Sequence, residues 1–174
     1  MTLKEKCAAL EDRIKRLLEI GLALSTEDNI NVIFELIMEE AKNITNADGR
    51  TLYMISDDAK TMKFEILRTD SLNFAQGGTT GVDIAFPPIP LLDEEGNPNH
   101  ATNVTYSANT GKTVNIPDVY KAEGFDFTGP KNFDKSSGYR TKSVLSVPLK
   151  NHENDIVGVM QLINATDKKS GKVI

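Results

Sequence analysis

The sequence predicts an α+β domain: a central antiparallel sheet, N-terminal helices packed on one of its faces, and a loop-covered ligand pocket on the other. Three observations carry this. Two helical segments open the chain. Alternating apolar and polar runs at 51–68 and 143–164 each fold back across a polar turn, as β-hairpins do. Adjacent hairpins make a sheet antiparallel and leave one face for helices. Two long stretches, 69–100 and 121–137, hold clustered Gly, Pro, Phe and Asp without a period. Loops beyond about 15 residues inside a compact domain are usually functional, and two of them over one sheet face make a lidded pocket.

The elements follow in order. Leu3, Cys7, Leu10, Ile14, Leu17, Gly21 and Leu24 alternate steps of four and three, a heptad seam on one helix face. Either this helix packs on its own domain or it pairs with its twin. Gly21 to Asn29 is expected to break the register, with Ser25 and Asp28 as an imperfect capping box. A second helix carries Ile30, Ile33, Phe34, Ile37, Ala41 and Ile44 on one face and ends at Asn46–Gly49. The first hairpin joins 51–55 to 62–68. A short strand is expected at 89–92, a short helix at 101–109 stopped by Gly111, and a short strand at 113–116. The last hairpin joins 143–149 to 156–164. Residues 1–25 thus form a dimerisation or signalling helix and 26–174 the domain proper; the polar run Asp167–Ile174 reads as cut before a further C-terminal helix.

The 174 residues are 39% hydrophobic and 26% charged, as in ordinary globular proteins, with a net charge of −5. A general nucleic-acid binder needs a basic face, so none is expected as partner. No apolar run approaches the roughly 18 residues that span a bilayer, and no signal-peptide pattern opens the chain. With one cysteine, Cys7, the expected setting is a reducing cytoplasm.

Catalytic chemistry finds little material. The histidines, His100 and His152, both fall in loops. Neither builds a nucleophile triad, and no metal-ligand spacing occurs. The acidic doublets Asp57-Asp58 and Asp93-Glu94-Glu95 read as solvated turns. The run 77–81 (GGTTG) follows no clear strand and opens no clear helix, so it is a weak phosphate cradle. What remains is a hydroxyl-rich stretch, 134–143, running into an apolar strand. Sparse polar groups on an apolar floor suit a buried small molecule.

Three segments then resemble the GAF domain family. They are 138–149 (GYRTKSVLSVPL), 156–164 (IVGVMQLIN) and 110–120 (TGKTVNIPDVY), together with the helix ending in Thr45-Asn46-Ala47-Asp48. The insert holding GGTTG and 96–100 (GNPNH) is similar to GAF domains of bacterial HD-GYP phosphohydrolases. The resemblance implies a six-stranded antiparallel sheet, a homodimer through the N-terminal helix, a small-molecule effector, and an output domain C-terminal to this one. It implies a regulatory role and no catalytic residues. Carried over position by position, it implies ligand contacts at Thr51 on the first strand, at Asn103, Val104 and Thr105 on a helix N-terminus, at Asp134, Ser137 and Thr141 in the loop before the fifth strand, and at Gln161 on the last strand. Helix N-termini suit anions, and the Gln161 amide can both donate and accept. The implied ligand is a cyclic nucleotide or another small polar molecule. One departure counts against the former: Ala165 follows Asn164 where nucleotide binders carry lysine. A bilin would need a cysteine in the pocket, and Cys7 lies on the first helix. The competing reading is a ligand-free dimerisation spacer. A sulfoxide reductase of this fold would need pocket cysteines.

Overall fold

The computed structural model describes residues 2–174, less the side chains of Ala9, Arg13 and Leu24. Helix α1 (Leu3–Thr26) starts at a capping box: Thr2 Oγ1 accepts from the Glu5 amide, and the Thr2 amide donates to Glu5 Oε2 at 2.7 Å. It does not break at Gly21. It runs on to Thr26, and Ser25 and Thr26 turn their hydroxyls back to the Gly21 and Leu22 carbonyls. One glycine costs a helix only about 1 kcal/mol. The cap of the next helix is therefore Asn29, whose Oδ1 accepts from the Asn31 amide at 3.0 Å. Helix α2 (Ile30–Thr45) ends at left-handed Asn46.

Among the described residues seven strands follow, one more than expected. They are β1 (Ala47–Ile55), β2 (Thr61–Thr69), β3 (Phe74–Gly77), β4 (Ile89–Pro90), β5 (Val114–Ile116), β6 (Val144–Lys150) and β7 (Ile156–Ala165). The sheet order is β3-β2-β1-β7-β6-β5, with the two-residue β4 paired to the far end of β2. Every pairing is antiparallel. Helix α3 (Asn103–Thr110) lies where a short helix was expected, and α4 (Thr128–Ser137) occupies part of a stretch read as irregular.

Strand alternation assigns the two faces. On one, Leu52, Ile66 and Met160 meet Phe34 and Met38 of α2. On the other, Tyr53, Val159 and Met62 pack under Val104 and Ala108 of α3, and Val144 and Ile163 meet Val119 and Phe127 below α4. A register shift between Leu52 and Tyr53 brings Phe64 onto the α3 face opposite Tyr53. Among the described side chains, most of the α1 seam is exposed. Leu3, Leu10, Ile14 and Leu17 are each more than half exposed, and Cys7 is exposed; the Leu24 side chain lies outside the described ones. Among the described residues, no helix is long and apolar enough to cross a membrane.

Candidate functional site

Between the sheet and the segments covering its α3 face lies a cavity of about 270 Å³. Its floor is built from Thr51 and Tyr53 of β1, Leu67 and Thr69 of β2, and Gln161 and Ile163 of β7. These are the alternate residues of three neighbouring strands, so the period of two puts them on one face. Thr102, Asn103 and Val104 at the start of α3 close one side, and Pro130 and Phe133 of α4 another. Phe86, from the loop between β3 and β4, adds a further wall beside Phe64.

The residues expected to meet a ligand divide into two groups. Thr51, Asn103, Val104, Thr141 and Gln161 line the cavity together. Thr105, Asp134 and Ser137 stand behind its wall. Thr105 is fully buried and completes the α3 capping box, exchanging bonds with Thr102. Asp134 is 5% exposed and satisfied within the protein. It accepts from Tyr120 Oη at 2.8 Å, from the Thr141 amide at 2.9 Å and from Thr141 Oγ1 at 2.8 Å. It thereby ties α4 to the strand approach at 140–143. Ser137 is exposed and donates to the Phe133 carbonyl.

The polar groups on the floor are partly committed. Tyr53 Oη donates to Gln161 Oε1 at 3.3 Å, and Asn103 Nδ2 donates to Ser146 Oγ at 2.8 Å. Burial pushes the Tyr53 hydroxyl far above its ordinary range, with the Thr51 hydroxyl pulling the other way. Burial and the hydrogen bond to Asp48 do the same to Tyr139, which donates to Asp48 Oδ2 at 2.7 Å. Both phenols are therefore neutral donors at physiological pH.

Aromatic walls were not foreseen from the residue string. Tyr53, Phe64 and Phe86 form one group, with centroids 4.8 and 5.4 Å apart. Phe74, Phe133 and Tyr139 form the other, at 6.0 and 6.2 Å. Their signal was the density of Phe in the two long irregular stretches, which solvated loops would not carry. Asn164 is a further contributor. Buried and left-handed (φ 56°), it accepts from the Lys142 amide at 2.6 Å and donates to the Arg140 carbonyl at 2.8 Å. It pins the segment that delivers Thr141 to the cavity.

The opposite face of the sheet holds the charges. Arg50 bridges Glu39 and Asp70, both at 2.8 Å, and Lys42 reaches Asp70 at 2.5 Å. Arg68 pairs with Glu35 of α2 and also donates to the Gln76 and Gly77 carbonyls. Glu35 accepts in addition from the Thr79 amide at 3.3 Å. Helix α2 is thus tied to the root of the loop that carries Phe86. Among the described residues, no group of three or more His, Cys, Asp or Glu is placed to hold a metal.

Comparison with known proteins agrees with this architecture. The family pattern of the GAF domain matches residues 29–171. A 61-residue stretch is 44% identical to the dual 3',5'-cyclic-AMP and -GMP phosphodiesterase 11A of Takifugu rubripes; it is 35% of this chain and 6% of that protein. The chain therefore spans a small part of the curated relative that it matches. Among solved structures, the GAF domain of an Acinetobacter phosphoenolpyruvate-protein phosphotransferase superposes with TM-score 0.57 at 12% identity, covering 87% of this chain and 76% of that one. Residues 122 to 287 of a methyl-accepting chemotaxis protein give 0.57 at 17% identity, covering 90% and 86%. The free methionine-R-sulfoxide reductase of Neisseria meningitidis, in complex with its substrate, gives 0.53 at 14% identity, covering 84% and 70%. At these identities the structural likeness speaks for the fold alone, and the present chain has its one cysteine on α1, away from the cavity. The family pattern runs from the cap of α2 to beyond β7, and on that ground the chain belongs to the GAF domain family, the regulatory ligand-sensing modules of signalling proteins.

Proposed function

We propose that this domain binds a small organic effector in the cavity and passes occupancy through α2 and α1 to an output domain of the same protein. The cavity carries the reading. It is closed by α3, α4 and the Phe86 loop, walled by aromatic rings, and floored by amide and hydroxyl groups. An apolar pocket with few convergent polar groups is the usual form of a small-molecule site. The route outward is physical. The loop over the cavity is rooted at Gly77 and Thr79, which meet the Arg68–Glu35 pair of α2. A ligand that orders this loop shifts α2 only by the difference in its affinity for the two arrangements.

The exposed seam of α1 favours a homodimer through that helix. The similarity to a cyclic-nucleotide phosphodiesterase favours an output that makes or breaks phosphoesters, a phosphodiesterase, an HD-GYP phosphohydrolase or a cyclase. Cyclic nucleotides are accordingly the first effectors to try, and the cytoplasm the first place to look. A ligand-free spacer is the alternative reading.

The test uses Cys7, the sole cysteine and exposed, as a spin-label site. The protein is titrated with cyclic AMP, cyclic GMP, cyclic di-GMP and a fragment library, following amide resonances of Thr51, Thr141 and Gln161. Binders are then tested for a change in the Cys7–Cys7 distance distribution. Cavity shifts together with a changed distribution support the sensor. Silence across the library supports the spacer, and binding that leaves α1 unaltered refutes the relay through that helix.

A further inference from the structure

The charges around the cavity have a consistent sign. Among the described residues, no Lys, Arg or His lines it. Arg50 and Arg68 sit on the far face of the sheet, engaged by acids of α2 and by Asp70. Arg140 and Lys131 lie over the outer ring of Tyr120, at 3.5 and 5.4 Å from its centroid, and Arg140 also reaches Asp118 at 3.7 Å. Carboxylates, in contrast, come close. Asp126 lines the cavity, and hydrogen bonds from the Thr128 hydroxyl and amide hold it below the usual carboxylate range. Asp134 stands behind Thr141, and Asp48 behind Tyr139. None of these three acids has an ion-pair partner among the described residues. The first turns of α3 and α4, which both meet the cavity, offer about half a positive charge each, and the Asp126 carboxylate offsets that sum.

The floor also specifies hydrogen-bonding groups. Gln161 uses Oε1 to accept from Tyr53, so its Nε2 remains a donor facing the cavity wall it helps to form. Asn103 uses Nδ2 to reach Ser146, so its Oδ1 remains an acceptor. Both side chains are more than nine-tenths buried, and among the described residues neither free atom has a partner. Neither atom is sealed off, and a ligand in the cavity that these side chains help to line can pair with both. The two aromatic groups favour a flat ring between them.

We infer that the cavity takes an uncharged, flat nitrogen heterocycle that offers an acceptor to Gln161 Nε2 and a donor to Asn103 Oδ1, and that carries no phosphate or carboxylate. This rests on the sensor reading above and adds the class of ligand. An anion would give up hydration on entering a cavity lined by no Lys, Arg or His among the described residues, and would meet the Asp126 carboxylate at its rim.

The experiment titrates the whole chain with two matched pairs, following the amides of Thr51, Thr141 and Gln161. The pairs are nicotinamide against nicotinate, and adenosine against adenosine 3',5'-cyclic monophosphate. The neutral member of each pair is expected to bind at least tenfold more tightly than its anion. The Asp126→Asn protein, which keeps an oxygen for the Thr128 amide, should narrow that ratio. Gln161→Leu should remove the response to the neutral members. An anion that binds as tightly as its neutral partner overturns the inference and leaves the sensor standing. Silence toward both neutral compounds also overturns it, and the sensor then stands or falls with the fragment library.

Discussion

Replacing Asp134 by alanine separates two roles for that carboxylate. Its geometry makes it a tie between α4 and Thr141, with two buried bonds to Thr141 and a third to the half-exposed Tyr120. Hydrogen bonds to a charged acceptor contribute about 1.5–3 kcal/mol each, and a buried donor left without a partner loses about 1–3 kcal/mol. The Thr141 amide and hydroxyl would both be stranded, while the desolvation of the carboxylate itself would be relieved. The net loss expected is about 2–4 kcal/mol. For a chain of this size that lowers Tm by roughly 5–15 °C. Where the loss is local, the Thr141 amide should exchange roughly 30–1000-fold faster, since each 1.4 kcal/mol is about tenfold. Asp134→Asn keeps one acceptor and should lose about half as much. Thermal denaturation by circular dichroism and native-state hydrogen exchange read both effects without any ligand. A ligand-reserved carboxylate behaves oppositely: its removal leaves the empty protein unchanged and weakens only binding. An alanine variant within about 2 °C of the parent, with Thr141 exchange unaltered, would refute the tie.

Other perturbations test other parts of the fold. A Cβ on Gly158, in central β7, would collide with the Tyr53 carbonyl and come within 3.0 Å of Met54 Sδ, so Gly158→Ala should cost about 3 kcal/mol in chemical denaturation. Glu35→Ala strands the buried Arg68 and frees the Thr79 amide; a loss of about 3–5 kcal/mol should come with faster proteolytic cleavage between 78 and 88. Burial raises the Asp70 carboxyl, but hydrogen bonds from Lys42 and Arg50 outweigh it and hold the group below its ordinary range. Its contribution is therefore full above about pH 4 and lost as pH falls through the lowered value, so the stability gap between parent and Asp70→Asn should shrink in acid. Ile14→Asp places a charge in the exposed α1 seam; sedimentation should show a homodimer for the parent and a monomer for the variant.

The elements legible in the residues were those with a local cause. Strands β1, β2, β6 and β7 alternate, α2 has its apolar stripe, and α3 ends at left-handed Gly111. The elements that escaped lack one. Helix α4 contains Gly129, Pro130, Asn132, Asp134 and two serines, poor helix formers. It stands because the Asp134 bonds and the Phe127 and Phe133 contacts hold it from outside. Strand β3 ends in Gly77 and exists through its ladder with residues 66–69, far from any local pattern. The site divided the same way. Gln161, Thr51 and Thr141 could be placed because they sit on or beside strands with strong sequence signatures. The aromatic walls could not, since Phe64, Phe86 and Phe133 come from three separate segments that meet only in the folded chain.

One property of the site is nonetheless written in adjacent pairs of residues. Arg50 precedes Thr51 on β1, and Arg68 precedes Thr69 on β2. Because successive strand residues face opposite ways, each pair sends its cation to α2 and its hydroxyl to the cavity. Arg50 and Arg68 are also direct cross-strand partners. Two like charges side by side are unfavourable alone, and they persist because Glu35, Glu39 and Asp70 meet them. A slip of one residue in either strand would reverse the arrangement, turning an arginine into the cavity and a threonine toward the acids of α2. The register that buries Leu52 and Ile66 against α2 therefore also keeps the cavity free of cations. The lack of arginine among the described residues lining the pocket is in this sense a consequence of the core packing on the other side of the sheet.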